Sequence, residues 1–305
     1  MKQTLISLLL GFACIGSASA LDLGKLLTTD NINKALDVAK NANEASREWT
    51  PEQEAALGDE IAARMLGAKP LVKNAALQRY VNQVGEWVAS QSDKPDFKWR
   101  FAVIEDETVN SFAMPGGVIF ITKGLWDRLK NESELAAVLG HEITHVTRHH
   151  HLDAMRAEAK KNAVSSLTDL AVSTQSGKKN ENLAKMGNNA FKGLGMEGLY
   201  TRGLDKDLEY EADVTGMVLL ARAGYNPYAM VTVLQMLEGF NRNPGGLPLF
   251  NTHADPRARQ DVIEASIGDK LDSYAGNVEQ TSRFLAIKGK PQQNGQAKPA
   301  KKSSK

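Results

Sequence analysis

Five of the chain's six histidines stand within the eleven positions from 141 to 151, in "VLGHEITHVTRHHH" (138–151). His141 and His145 are four apart, which on an α-helix means about 40° of rotation and about 6 Å of rise. Both imidazoles therefore leave one face and can converge on one ion, and neutral imidazole is a common zinc ligand. Glu142 is turned about 100° from His141 and about 60° from His145. It can flank the ion without ligating it, where it can take a proton from a water as a metalloprotease base does. His149 lies about 12 Å along the axis from His141, too far to share the ion on a straight helix. His149, His150 and His151 are therefore read as helix-end residues, where cations suit the C-terminus.

The His-Glu-x-x-His pattern is moderately specific, since chance places it in roughly one chain of this length in a hundred. A third ligand decides between a metal site and a helix with two incidental histidines. "DLEYEADVTG" (207–216) offers Glu209, Glu211 and Asp213. On a helix, Glu211, Thr215 and Arg222 form a polar stripe suited to water, while Glu209, Asp213, Met217 and Leu220 form another, nearly opposite Glu211. Acids on an inward stripe need a partner, because buried carboxylates are costly unless paired or metal-bound. Glu209 is the candidate third ligand. Asp213, one turn on, can accept a hydrogen bond from the free ring nitrogen of a ligand histidine. Two histidines, a glutamate and an open position make a catalytic rather than a closed structural zinc centre. The plain alternative is a pair of ordinary helix-surface charges.

The elements that must hold these groups can be read locally. "TPEQEAALGDEIAARMLG" opens a helix with Thr50 as N-cap, Pro51 in the first turn and Gln53 at capping-box spacing. Residues 74–91 carry helical apolar spacing through Leu77, Val81, Val84 and Val88. "FKWRFAVIED" (97–106) alternates like a strand, and "TVNSFAMPGGVIFITKGL" (108–125) reads as strand, Pro-Gly-Gly turn, strand. The histidine helix starts at Asn131, with Glu134 three residues on, and is expected to run to about His151, its apolar stripe being Leu135, Leu139, Ile143 and Val146. Residues 152–200 suggest two helical pieces, either a lid over the cleft or a plain connection. The helix carrying Glu209 stops at Gly224 and Pro227; further helices cover about 228–240 and start near Pro256.

Both ends differ from this middle. Residues 1–20 have one early lysine, an apolar run and Ala18-Ser19-Ala20, the layout of a cleaved secretory signal peptide. Cys14, the single cysteine, follows a poor lead-in for lipid attachment, so a signal peptide is preferred to a lipoprotein anchor. Residues 21–49 read as a weakly structured lead-in and 50–287 as the domain. Residues 288–305, rich in lysine and without acids, read as a disordered tail able at most to touch a membrane surface weakly. A net charge of +1 argues against nucleic acid as a partner, and no later stretch is apolar enough to span a bilayer. Oligomeric state is not legible.

Four blocks, "VNSFAMPGGVIFITKGL", "NESELAAVLGHEITHVTRHH", "LDKDLEYEADVTGMVLLARAGYNP" and "THADPRAR", resemble in order the gluzincin metallopeptidases of the group containing the HtpX and CAAX prenyl proteases, in its soluble periplasmic BepA-like branch. The resemblance implies an α+β, zincin-like fold, mostly helical with a small sheet above the active-site helix. It implies one Zn2+ per chain on His141, His145 and Glu209, with Glu142 as base. It also implies that Asn110, Ser111, Phe112, Ala113 and Met114 border the cleft, where a substrate adds as a strand. In relatives a "THP" stretch can set its histidine over the metal; here Thr252-His253-Ala254 lacks the adjacent proline, so His253 is either a reversible fourth ligand or a surface-loop residue. BepA-like members carry helical repeats after the protease, where this chain has its lysine-rich segment, and functions tied to those repeats are not carried over. The expected activity is zinc-dependent endopeptidase cleavage of misfolded or assembling envelope proteins in the periplasm. The alternatives are a chaperone-like holdase with a latent, His-capped zinc site and, more weakly, a hydrolase of a non-peptide substrate.

Overall fold

Thr50 accepts a hydrogen bond from the Gln53 backbone while the Gln53 side chain accepts one from Thr50 N, and helix α1 (Pro51–Ala68) begins on this capping box. The structure is a computed structural model, and it describes residues 48–157, 203–241 and 253–289. Asn74 caps α2 (Ala75–Ala89) through two backbone amides, and Leu77, Val81, Val84 and Val88 are all buried, as their spacing predicts. Strands β1 (Arg100–Ile104), β2 (Ser111–Met114) and β3 (Val118–Thr122) follow. Then come the short α3 (Lys123–Trp126), α4 (Glu132–Thr147), α5 (Lys206–Ala223), α6 (Ala229–Asn241), α7 (Pro256–Ile267) and α8 (Thr281–Lys288).

The sheet has the order β1-β3-β2, with β1 parallel and β2 antiparallel to the central β3. Gly116 (φ 75°) and Gly117 (φ 96°) make the expected turn between β2 and β3, a conformation that side chains with a Cβ disfavour. Side chains alternate across β3. Ile119 and Ile121 join the main core, which holds α2, α4, α5, α6 and α7, while Val118 and Phe120 meet Ile61 and Ala62 of α1 in a second cluster. Because both faces are covered, β3 reads as an unbroken apolar run rather than an alternating one. The fold is α+β and mostly helical, with a small sheet whose β2 and β3 contact α4, as expected.

Two expectations are corrected. Helix α4 stops at Thr147, not near His151: Arg148 is its cap and His149 takes a left-handed φ of 58°, which ends a helix much as glycine does. A second helical stretch starts at residue 150, so His150 and His151 do not lie on the end of α4. Every residue of α4 from Glu132 to Val146 is buried, so the helix has no open polar front. At the other end α8 includes Lys288, whose Nζ donates to Asp127 O and Leu129 O at 2.6 Å each. The signal peptide, Cys14, most of the lead-in, residues 158–200 of the suggested lid, and the tail from 290 lie outside the described residues.

Candidate metal centre

The centre is made where α4 and α5 cross closely. Gly140 and Gly216 face one another: a Cβ on Gly216 would lie 3.2 Å from His141 N, and one on Gly140 would lie 3.4 Å from Gly216 O. With no side chain between them the two backbones approach, and the inward stripe of α5 is carried against the histidines. Glu209, Asp213, Met217 and Leu220 are fully buried, while Glu211 and Arg222 are exposed, so the two stripes separate as helical spacing requires.

His141 Nε2 and His145 Nε2 lie 2.9 Å apart, and Glu209 approaches them at 3.6 and 3.5 Å. Each ring has its other nitrogen engaged. His141 Nδ1 is 3.0 Å from Asp213 Oδ1, and His145 Nδ1 is 2.8 Å from His150 Nδ1. If the Nδ1 atoms carry the protons, both Nε2 lone pairs point into the same small volume, an arrangement that repels unless a cation lies between. Glu209 Oε1, buried beside them, has no hydrogen-bond partner. The donor set of two imidazoles, a carboxylate and the nearby His253, with ligand atoms all within 4.8 Å of one another, fits zinc.

Electrostatics point the same way. Burial lowers the His145 pKa well below the usual imidazole value, and the neighbouring His141 adds to this, so the ring is neutral, the form a metal requires. Burial alone would raise the Glu209 and Asp213 carboxyls. His253 and the motif histidines hold Glu209 well below the ordinary range, and Arg259 and His141 hold Asp213 down. Both acids are thus ionised in the interior.

His253 stands two residues before Asp255, the cap of α7, with its Nδ1 2.9 Å from Glu209 Oε2 and its ring centroid 5.5 Å from that of His141. Glu142 is buried, and its Oε1 accepts a hydrogen bond from Ser111 Oγ at 2.7 Å. Ser111 opens β2, an edge of the sheet; Phe112, Ala113 and Met114 continue that strand, and Asn110 precedes it, bonded through its backbone to Thr122. A recess of about 40 Å³ beside Glu142 is lined by Val138, Met230, Val233, Leu234 and Leu237 together with His253 and Arg259. A larger cavity of about 370 Å³, around Tyr80, Trp87 and Arg283, contains none of the motif residues, so size does not locate the chemistry here.

Sequence reasoning gave no role at the centre to Arg259 or His150, and placed Ser111 on the substrate strand without its bond to Glu142. Arg259 is buried and donates two hydrogen bonds to Asp213, at 2.6 and 2.7 Å. Its signal was available: it shares the inward stripe of α7 with Ile263 and Ile267, and a buried guanidinium needs a carboxylate. His150 was set aside with its neighbours as a helix-end residue. The break at His149 instead brings it back, buried, against His145, and nothing local in a run of three histidines marks that turn.

The chain is similar to known peptidases. The protein family described as Peptidase family M48 matches residues 75–267, well over half of the chain. The beta-barrel assembly-enhancing protease of Yersinia pestis is 31% identical over 222 residues, covering 68% of this chain and 42% of its own length. The protein of that name from Escherichia coli (strain K12) is 30% identical with the same coverages. The mitochondrial metalloendopeptidase OMA1 of Schizosaccharomyces pombe is 30% identical, covering 61% of this chain and 51% of its own. The chain thus spans about half the length, or less, of these relatives.

Proposed function

The chain belongs to peptidase family M48, and on that ground we propose that it is a zinc-dependent endopeptidase. His141, His145 and Glu209 would hold one zinc ion, with His253 as a reversible fourth ligand. The observation that carries this reading is the pair of Nε2 atoms 2.9 Å apart beside an unpartnered carboxylate oxygen. When bound, zinc polarises the scissile carbonyl and makes a water more acidic.

The chain's own groups do the rest. Ser111 Oγ holds Glu142 Oε1, leaving the second carboxylate oxygen to take the proton of the attacking water and pass it to the leaving amine. Asp213 and Arg259 hold the His141 ring. The edge strand β2, from Ser111 to Met114 with Asn110 before it, would receive the substrate backbone as an added strand, and the apolar recess beside Glu142 would take an apolar substrate side chain.

The substrates we propose are exported polypeptides, misfolded or in assembly, in the bacterial periplasm. Support comes from the signal-peptide pattern of residues 1–20 and from relatives named for β-barrel assembly. No helix among the described residues is long and apolar enough to cross a membrane. The relatives named above are called proteases or endopeptidases, which favours turnover over a holdase.

The test is metal analysis together with digestion of an unfolded protein such as casein. Expected are one zinc per chain, cleavage by the wild type, and in Glu142→Gln retained zinc with cleavage reduced about 10²–10⁴-fold. A purified protein that binds no metal, or a Glu142→Gln variant as active as wild type, would sink the reading.

A further inference from the structure

The two motif histidines are not supported alike. His141 has a carboxylate behind it, Asp213, fixed in turn by Arg259. His145 has another imidazole: His150 Nδ1 lies 2.8 Å from His145 Nδ1. His150 is buried, at 3% exposure, and its Nε2 is 3.5 Å from Glu211 Oε2. The other oxygen of Glu211 meets Arg148 Nε at 3.2 Å. Glu211 and Arg148 are both half exposed, so the line runs from the centre to solvent.

Proton positions follow from the inward end. For His145 Nε2 to present a lone pair, its Nδ1 must carry the proton and donate. His150 Nδ1 must then accept, which places the proton of His150 on Nε2, facing Glu211. Each link fixes the next, and the left-handed His149 is the backbone device that swings His150 into place. We propose that His150 is a positioning residue that holds His145 in its metal-binding tautomer and orientation, with Glu211 and Arg148 fixing His150 from outside. This rests on the zinc reading above and adds to it a residue that touches neither metal nor substrate.

The test reads zinc affinity by competition with a chromogenic chelator, so it does not depend on cleavage. His150→Leu fills the space without an acceptor, whereas His150→Asn returns an acceptor at the position of Nδ1. Expected is a loss of affinity of about 10- to 100-fold in the leucine variant, with recovery of most of it in the asparagine variant. In nitrogen-resolved NMR of the zinc-loaded protein, the His145 Nδ1–H resonance should persist in His150→Asn and shift in His150→Leu. An unchanged affinity in His150→Leu, or equal losses in both variants, overturns the inference. Should His150→Leu fail to fold, Glu211→Gln carries the test: a several-fold loss with a moved His145 Nδ1–H signal supports the line, and neither change overturns it. A wild type that binds no zinc removes the functional reading as well, whereas wild-type binding with an unperturbed variant removes only this one.

Discussion

Glu142 and Asp213 are both buried acids of the candidate centre, yet replacing each should have different consequences. Glu142 accepts one neutral hydrogen bond, from Ser111, and a glutamine keeps its shape and its acceptor oxygen. Asp213 is the counter-charge of a buried guanidinium as well as the partner of His141. Asp213→Asn takes from the buried Arg259 its nearer carboxylate and leaves it only Glu209 Oε2, 3.6 Å from its Nη1, which costs up to about 3–5 kcal/mol. It also loosens the His141 ring, lowering zinc affinity by about 10- to 100-fold. Thermal melts beside chelator competition check this. Glu142→Gln should melt near wild type and keep its metal, whereas Asp213→Asn should lose both stability and affinity. If Asp213→Asn matches Glu142→Gln in both measurements, the carboxylate does not hold the ring.

At the scale of elements, the close crossing of α4 and α5 depends on glycine. An alanine at 216 gains roughly 1 kcal/mol of helix propensity. Its Cβ would, however, stand 3.2 Å from His141 N and 2.9 Å from Met230 Cε. The methionine end can move; the α4 backbone cannot without carrying His141 along. Overpacking of this kind costs about 1–3 kcal/mol, so the net effect of Gly216→Ala is expected to be a lower melting temperature and weaker zinc binding. Gly239→Ala is the control, since nothing lies within 4 Å of its added Cβ. Equal or higher stability and full zinc affinity in Gly216→Ala would refute the packing argument.

The same crossing marks what could be read before folding. Caps at Thr50 and Asn131, the apolar spacing of 74–91, the turn at Gly116-Gly117 and the inward stripe of α5 are local signals, and each element formed where they point. The parallel pairing of β1 with β3 is not local, because β2 comes between them in the chain. Neither is the purpose of Gly140 and Gly216, which within one helix look only like lost propensity. The helix α8 also went unread: Phe284 is its one buried residue, too little for a periodic pattern.

Across the whole molecule, the far end of α4 is tied down by a second charged cluster. Glu132, in the first turn, is fully buried and accepts hydrogen bonds from Tyr80 of α2, Tyr225 just beyond α5, and Arg283 of α8. Three segments distant in sequence therefore meet at the start of the helix that carries the metal ligands at its other end. Burial alone would raise the Glu132 carboxyl, but the hydrogen bonds from Arg283, Tyr225 and Tyr80 outweigh it and hold the pKa below its ordinary value of 4.5. A carboxylate whose pKa is depressed by folding contributes stability above its unfolded value, and that contribution is lost as pH falls through the folded one. Wild-type melting should therefore change little from this group between neutrality and about pH 5 and should fall below pH 4.5. Glu132→Gln removes the charged acceptor from three donors. It should cost on the order of 2–3 kcal/mol at neutral pH, less than a fully buried pair would, because the half-exposed Arg283 regains water. Zinc release in acid lowers both proteins alike, so the readout is the gap between their melting temperatures. It should be wide at pH 7 and narrow as acid protonates Glu132; a gap that stays constant with pH would mean that the network holds α4 by shape and not by charge.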